Sequence, residues 1–194
     1  MSATNRGTVK NENDFYPTPE YTIDSILEEI DFSKVHSFRE PCRGNGAIYD
    51  KVLITKKDYY ELSEGKDYLV GSAAERVDLI LTNPPFSLAK EFIEKAIKES
   101  DTVCMLQRVN FLGSQIRKAF WHKYPPTHLF VLAQRPKFIA KCTKCKPSNN
   151  YSTSTTKCPV CGSKVNPASD ATEYAWFVWD KKNVFKRSNG IYVI

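Results

Sequence analysis

Acidic residues are missing from a third of this 194-residue chain: from Thr102 to Ser169 there is no Asp or Glu, a gap of 68 residues. The same stretch carries Arg108, Arg117, Lys118, Lys123, Arg135, Lys137, Lys141, Lys144, Lys146, Lys157 and Lys164, a local charge of +11, while the remaining residues hold 17 basic against 22 acidic side chains. The net +6 therefore conceals one basic region, which points to a polyanion partner, and Arg108, Arg135 and Lys137 become candidate nucleic-acid contacts. No run approaches 18 apolar residues, so no helix is expected to span a membrane. The polar start, Met1 to Asp14, lacks the apolar core of a signal peptide, and the expected location is the cytoplasm, a host's cytoplasm if the source is viral. Two phosphate-binding signatures are also missing. After Gly44 and Gly46 there is no third glycine at dinucleotide-loop spacing, and Gly-Lys-Ser/Thr occurs nowhere, which excludes both the dinucleotide fingerprint and the phosphate loop.

What is present centres on Asn83-Pro84-Pro85-Phe86, after the apolar run Val77 to Leu81 and before a helical pattern starting near Ser87. A run of Val, Leu and Ile without alternation suits a parallel strand covered on both faces, and ligands bind beyond the carboxyl ends of such strands. Neither proline has an amide hydrogen, and each restricts the residue before it, so the Pro84 carbonyl is expected to point outward beside the Asn83 carboxamide oxygen. Two fixed acceptors suit an amino group whose lone pair is tied up in a ring, such as adenine N6. Accepting its hydrogens returns the lone pair to nitrogen, and Phe86 offers a face for an extruded base. The plainer alternative is a stiff turn after a buried strand.

Upstream, Thr18-Pro19 precedes Ile23, Ile26, Leu27 and Ile30, one face of a helix, with Thr18 at the N-cap and Pro19 at the first helical position. Lys34 to Arg39 reads as a strand, Glu40-Pro41-Cys42-Arg43-Gly44-Asn45-Gly46 as a turn approaching a ligand closely, and Ala47 to Ile54 as a helix. Glu40 before the glycines suits an ammonium better than a pyrophosphate. A strand over Asp58 to Leu62 places Glu61 where nucleotide-binding units hold ribose hydroxyls, and Asp67 precedes the central strand. Leu88, Phe92, Ile93, Ala96 and Ile97 form a core helix face. Further strands are expected at Thr102 to Leu106, Leu129 to Leu132 and Tyr174 to Trp179.

Four of the six cysteines fall as Cys142-x-x-Cys145 and Cys158-x-x-Cys161, two knuckles that place four thiolates round one zinc. Four thiolates close the coordination shell, so the zinc is structural. The domain reading is a core over 1–141, a zinc-ribbon insert over 142–166, and a return to the core over 167–194 with its last strand and C-terminal tail.

With these residues assembled, the chain resembles the small phage-type S-adenosylmethionine-dependent DNA adenine N6-methyltransferases, from about Asp14 to Lys181. The order of Tyr-Pro-Thr-Pro segment, glycine loop and Asn-Pro-Pro-aromatic stretch is that family's. The resemblance implies an α/β, Rossmann-like methyltransferase fold, a mixed seven-stranded sheet between helices with its last strand antiparallel. It implies that Tyr16 and Thr18 hold the methionine end of S-adenosylmethionine over Glu40, Gly44 and Gly46, that Glu61 binds the ribose, and that Asp67 binds the cofactor's adenine amino group. Asn83, Pro84, Pro85 and Phe86 would hold the target base, with Phe138 closing its other face. Double-stranded DNA is the implied partner. RNA adenine, cytosine N4 and a glutamine amide present a similar planar amino group, and an inactive zinc-ribbon nucleic-acid-binding protein is the alternative from another class. Two departures from the family pattern stand out: Arg43 beside the cofactor loop, and the lack of a large separate recognition domain, whose work would fall to the zinc insert and the basic run.

Overall fold

The computed structural model describes residues 17–71, 75–142, 144–145, 150–152, 155–169 and 171–194. Its strands are Ser37–Glu40 (β1), Lys56–Tyr59 (β2), Val77–Thr82 (β3), Ser100–Arg108 (β4), His128–Val131 (β5), Ile139–Cys142 (β6), Asn150–Ser152 (β7), Val165–Ala168 (β8), Tyr174–Asp180 (β9) and Gly190–Val193 (β10). Its α-helices are Glu20–Leu27 (α1), Ala89–Glu99 (α2) and Lys118–Lys123 (α3). Seven strands make one mixed sheet in the order β10-β5-β9-β4-β3-β1-β2, with β9 running antiparallel between β4 and β5 and every other pairing parallel. The Tyr174 strand is thus the antiparallel one, and the C-terminal tail adds a parallel edge strand beyond it.

Both faces of the sheet are covered, which is why β1, β3 and β9 are buried almost throughout. Leu79, Leu81, Trp176 and Val178 pack with Ile23 and Ile26 of α1 and with Ile48 and Val52. Ile80, Val103, Met105 and Phe177 pack on the other face with Phe92, Ile93 and Ala96 of α2 and Phe120 of α3. Arg39, only 2% exposed, ties the sheet to α2, donating through Nε and Nη2 to Asp58 at 2.7 Å each and through Nη1 to Glu99 at 3.2 Å. An Arg39→Ala variant leaves the largely buried Glu99 with Lys95, at 3.6 Å, as its only cation among the described residues, deprives Asp58 of its two-point partner, and is expected to lose about 3 kcal/mol of stability, read by urea unfolding.

Several expected elements take different form. The helix anticipated over Ala47 to Ile54 is only a pair of turns. The Lys57 ammonium donates to the Tyr49 carbonyl at 2.7 Å and the Val52 carbonyl at 2.9 Å, taking acceptors that a continuing helix needs. Thr18 is not the cap of α1: Pro19 holds that position without a side-chain hydrogen bond, and the helix stops at Leu27, before Ile30. Leu88 is not core. It lies in the turn Phe86–Leu88 ahead of α2 and is 40% exposed. The second strand ends at Tyr59, so Glu61 stands just beyond it, capping a short turn over Leu62–Glu64.

The remaining strands form a separate three-stranded antiparallel sheet, β7-β6-β8, inserted between β5 and β9 and spanning residues 139 to 168. Because β5 is parallel to β3, this insert leaves the sheet at the same edge as Asn83.

Candidate active site and metal centre

The carboxyl ends of β1 and β3, with the turn after β2, open onto one cavity of about 660 Å³, within the range of small-ligand and cofactor sites. Thr18, Glu40, Gly44, Glu61, Asp67, Asn83, Pro84, Pro85 and Phe86 all line it. Gly46 sits in the same loop at φ +86°, a backbone conformation that favours glycine; an added Cβ would meet only the exposed Asp50 carboxylate, at 2.7 Å, which can swing aside. Tyr16 lies outside the described residues.

Asn83 is held by the residue expected to cap α1. Its Nδ2 donates to the Thr18 hydroxyl at 3.0 Å, which turns the oxygen end of the carboxamide away from Thr18. Pro84 behind it is buried. Beside them, Phe86 packs against Tyr174 at 5.6 Å between ring centroids and edge-on against Phe138 at 6.3 Å, and the Arg108 guanidinium lies over its ring at 4.9 Å. Phe138 is therefore not a second face across a gap. It is 5% exposed, belongs to the main core and supports Phe86 from the side. Arg108 is the residue on the ring.

Glu40 is 1% exposed, and its Oε2 is a buried oxygen without a hydrogen-bond partner among the described residues. Burial pushes its carboxyl well above the ordinary carboxylate range, against the smaller opposing pull of the Tyr49 backbone amide and Arg43. Arg43 does not neutralise it by contact. The guanidinium instead lies over the Tyr59 ring at 4.6 Å and pairs with Glu64 at 3.3 Å. An orphaned acidic oxygen on a cavity wall fits a ligand that brings a cation, such as the ammonium of an amino-acid nucleoside.

Glu61 is differently placed. Its Oε2 accepts from the Gly44 amide at 2.7 Å, and Oε1 accepts from the Ser63 hydroxyl at 2.7 Å and amide at 3.1 Å. Burial disfavours its charge, but these bonds and nearby Arg43 prevail and hold the carboxyl below the ordinary range. It braces the glycine loop while lining the cavity. Asp67 accepts from the Leu69 amide at 2.8 Å and fixes the following turn. Leu62, Ser63, Lys66, Leu88 and Phe92 also line the cavity, and of these only Phe92 and Leu88 had a periodic signal, one that marked them as core.

Sequence reasoning also missed Tyr21. Its hydroxyl donates to the Arg135 carbonyl and accepts from the Lys137 amide, both at 3.0 Å, fastening the segment before the insert to α1. No local pattern announces a pairing across more than a hundred residues. Neither Arg135 nor Lys137 is among the cavity-lining residues. Arg135 pairs with Glu173, with its Nε donating at 2.8 Å, and Lys137 is exposed.

In the insert, the sulfurs of Cys142, Cys145, Cys158 and Cys161 all lie within 4.8 Å of one another. The Cys142 and Cys161 sulfurs are 3.5 Å apart and those of Cys145 and Cys158 3.8 Å apart, too far for disulfides. A tetrahedral zinc with ligands at about 2.3 Å puts its sulfurs roughly 3.8 Å apart, so the cluster fits that metal. Gly162, at φ +70°, makes the turn after the second knuckle. Among the described residues the apolar cluster around the site consists of Ala140, Cys142, Cys158 and Val165, with Cys145 against it.

The fold has solved counterparts. A structure from Pyrococcus horikoshii assigned as an RNA methyltransferase matches with a TM-score of 0.52 at 14% identity, over 86% of this chain and 87% of the other. A Vibrio vulnificus structure assigned as a modification subunit of a type I restriction enzyme matches with a TM-score of 0.52 at 12% identity, over 96% of this chain and 48% of that one. The fold is the Rossmann-like methyltransferase fold. This chain spans about half the length of the restriction-enzyme subunit. No family model matches the sequence, and no curated protein matches it. Among the described residues no helix is long and apolar enough to cross a membrane.

Proposed function

We propose that this protein transfers the methyl group of S-adenosylmethionine to N6 of an adenine extruded from DNA. The observation that carries the reading is that Asn83, oriented by Thr18, shares one cavity wall with Glu40 and its orphaned oxygen. On this reading the Glu40 side takes the ammonium of the cofactor, and the Asn83 side takes the base against Phe86. The Asn83 Oδ1 and Pro84 carbonyl accept the two amine hydrogens. When bound there, S-adenosylmethionine would supply an electrophilic methyl group, and these two acceptors would return the lone pair to the nitrogen for it, the surplus amine proton passing to solvent water. The cation supplied by Arg108 over Phe86 and the exposed lysines of the acid-free region suit a phosphate backbone.

The direct test incubates the purified protein with S-adenosylmethionine labelled in its methyl group and with unmethylated DNA or RNA. Label in N6-methyladenine of DNA is the expected result. Label in RNA alone, or in N4-methylcytosine, assigns the substrate otherwise, and no label in any nucleic acid defeats the reading.

Glu40 separates stability from binding. A raised folded value means that its contribution to stability is fully present below the ordinary carboxylate range, about pH 4.3, and is lost as pH rises through the folded value. Glu40→Gln removes this titration. The variant is expected to melt above the wild type at about pH 8 and to lose that advantage at about pH 4. Its affinity for S-adenosylmethionine should fall about tenfold or more, since a neutral amide has no charge for an ammonium. Calorimetry with and without ligand reads both effects, and a variant that loses stability at every pH contradicts the assignment.

A further inference from the structure

The chain after β4 leaves the sheet beside the end of β3 that carries Asn83, and it begins at Arg108, the residue over Phe86. It then runs through two short turns, Val109–Phe111 and Gln115–Arg117, before α3. Arg117, one of the eleven cations of the acid-free region, is spent inside this loop. Its Nε donates to the Phe111 carbonyl at 2.8 Å and its Nη2 to the Gly113 carbonyl at 2.7 Å, with the guanidinium over the Phe111 ring at 4.9 Å. Trp121 donates to the same Phe111 carbonyl at 3.3 Å, and the Phe111 ring is wedged edge-on against Trp121 and Phe177. The Ser114 hydroxyl accepts from the Ile116 amide at 3.3 Å. On this braced frame Ile116 stands 93% exposed, between Gln115 and the exposed cationic segment that starts at Lys118.

A single exposed apolar side chain is ordinary. A braced loop that holds one out, on the connection leaving the sheet at the strand end next to Asn83 and within a region free of acidic residues, has the properties of a wedge. Apolar atoms fill the gap between base pairs, rigidity spares the cost of ordering a loop on binding, and neighbouring cations seat the phosphates. We infer that Ile116 enters duplex DNA and occupies the space left by the extruded adenine. The inference rests on the methyl-transfer reading and adds to it that the enzyme opens an intact duplex itself.

The test compares methylation of one unmethylated linear DNA in native form and in heat-denatured, rapidly cooled form by the wild type, Ile116→Ala and Ile116→Leu. Extrusion is needed only in the native form. Ile116→Ala is expected to lower kcat/KM on native DNA by about tenfold or more, to leave heat-denatured DNA within about twofold, and to keep the melting temperature of the wild type, while Ile116→Leu retains activity on both. Equal loss on the two forms, or no loss on native DNA, overturns the wedge and leaves methyl transfer standing. Wild-type protein that labels neither form overturns both.

Discussion

Asn83→Ala is expected to lower methyl transfer on the order of a thousandfold while S-adenosylmethionine binds nearly as before. The argument is geometric. The carboxamide is held on one side by the Thr18 hydroxyl and on the other by the stiffness of two consecutive prolines, so its oxygen accepts a hydrogen in the transition state without prior reorganisation. Alanine removes that acceptor and leaves Glu40, Gly44 and Glu61 in place. Asn83→Asp keeps oxygens at the position and should retain more activity than alanine. Thr18→Val, which keeps the side chain's shape but not its acceptor oxygen, should cost about tenfold because Asn83 stays but loses its orientation. Single-turnover rates and cofactor titration read the two effects separately. Equal loss of cofactor binding and of transfer in Asn83→Ala contradicts the role assigned to it.

Removing the metal is expected to have the next largest effect. Among the described residues the apolar cluster around the four sulfurs is too small to hold three short strands together, so binding energy for zinc would be folding energy for the insert. Chelation should release one zinc per chain, melt the β7-β6-β8 sheet, and reduce DNA affinity by about tenfold or more, with a shallower salt dependence as Lys144, Lys157 and Lys164 lose their fixed positions. The main sheet has its own core on both faces, so S-adenosylmethionine binding should persist. Catalysis should fall with DNA binding and somewhat beyond it, because Phe138, immediately before β6, supports Phe86. A chelated protein that loses cofactor binding first would mean that the insert is part of the cofactor site. Metal analysis before and after chelation, with binding measured at several salt concentrations, distinguishes the cases.

Much of this architecture was legible in the sequence because its signals are local. Uninterrupted apolar runs marked β3, β4 and β9, and the glycine loop, the prolines after Asn83 and the paired cysteines each dictate a backbone shape within a few residues. The failures are mostly of one kind. Thr18 looked like a helix cap and Phe138 like the closing face over the base, and in both a partner distant in sequence decided otherwise, whereas Leu88 looked like core and a local turn took it out of the helix. Asn83 claims Thr18, the turn before α2 rotates Leu88 towards the cavity, and Tyr174 packs Phe138 into the core. The expected helix after Gly46 is lost to Lys57, whose position opposite two carbonyls depends on where β2 begins.

The sequence by itself therefore determined the menu of parts: a covered parallel sheet, a stiff pair of acceptors at its rim, a glycine turn behind an acid, four thiolates for one metal, and a basic region without counter-charges. Tertiary structure alone decided which side chains meet. Among the described residues it put Glu40 out of reach of a neutralising contact, turned Arg43 onto tyrosines, spent Arg117 on carbonyls of its own loop, paired the exposed Arg135 with Glu173, and left Ile116 in solvent. Backbone preferences act over a few bonds and can be read along the chain, whereas desolvation and charge pairing depend on neighbours that only folding supplies.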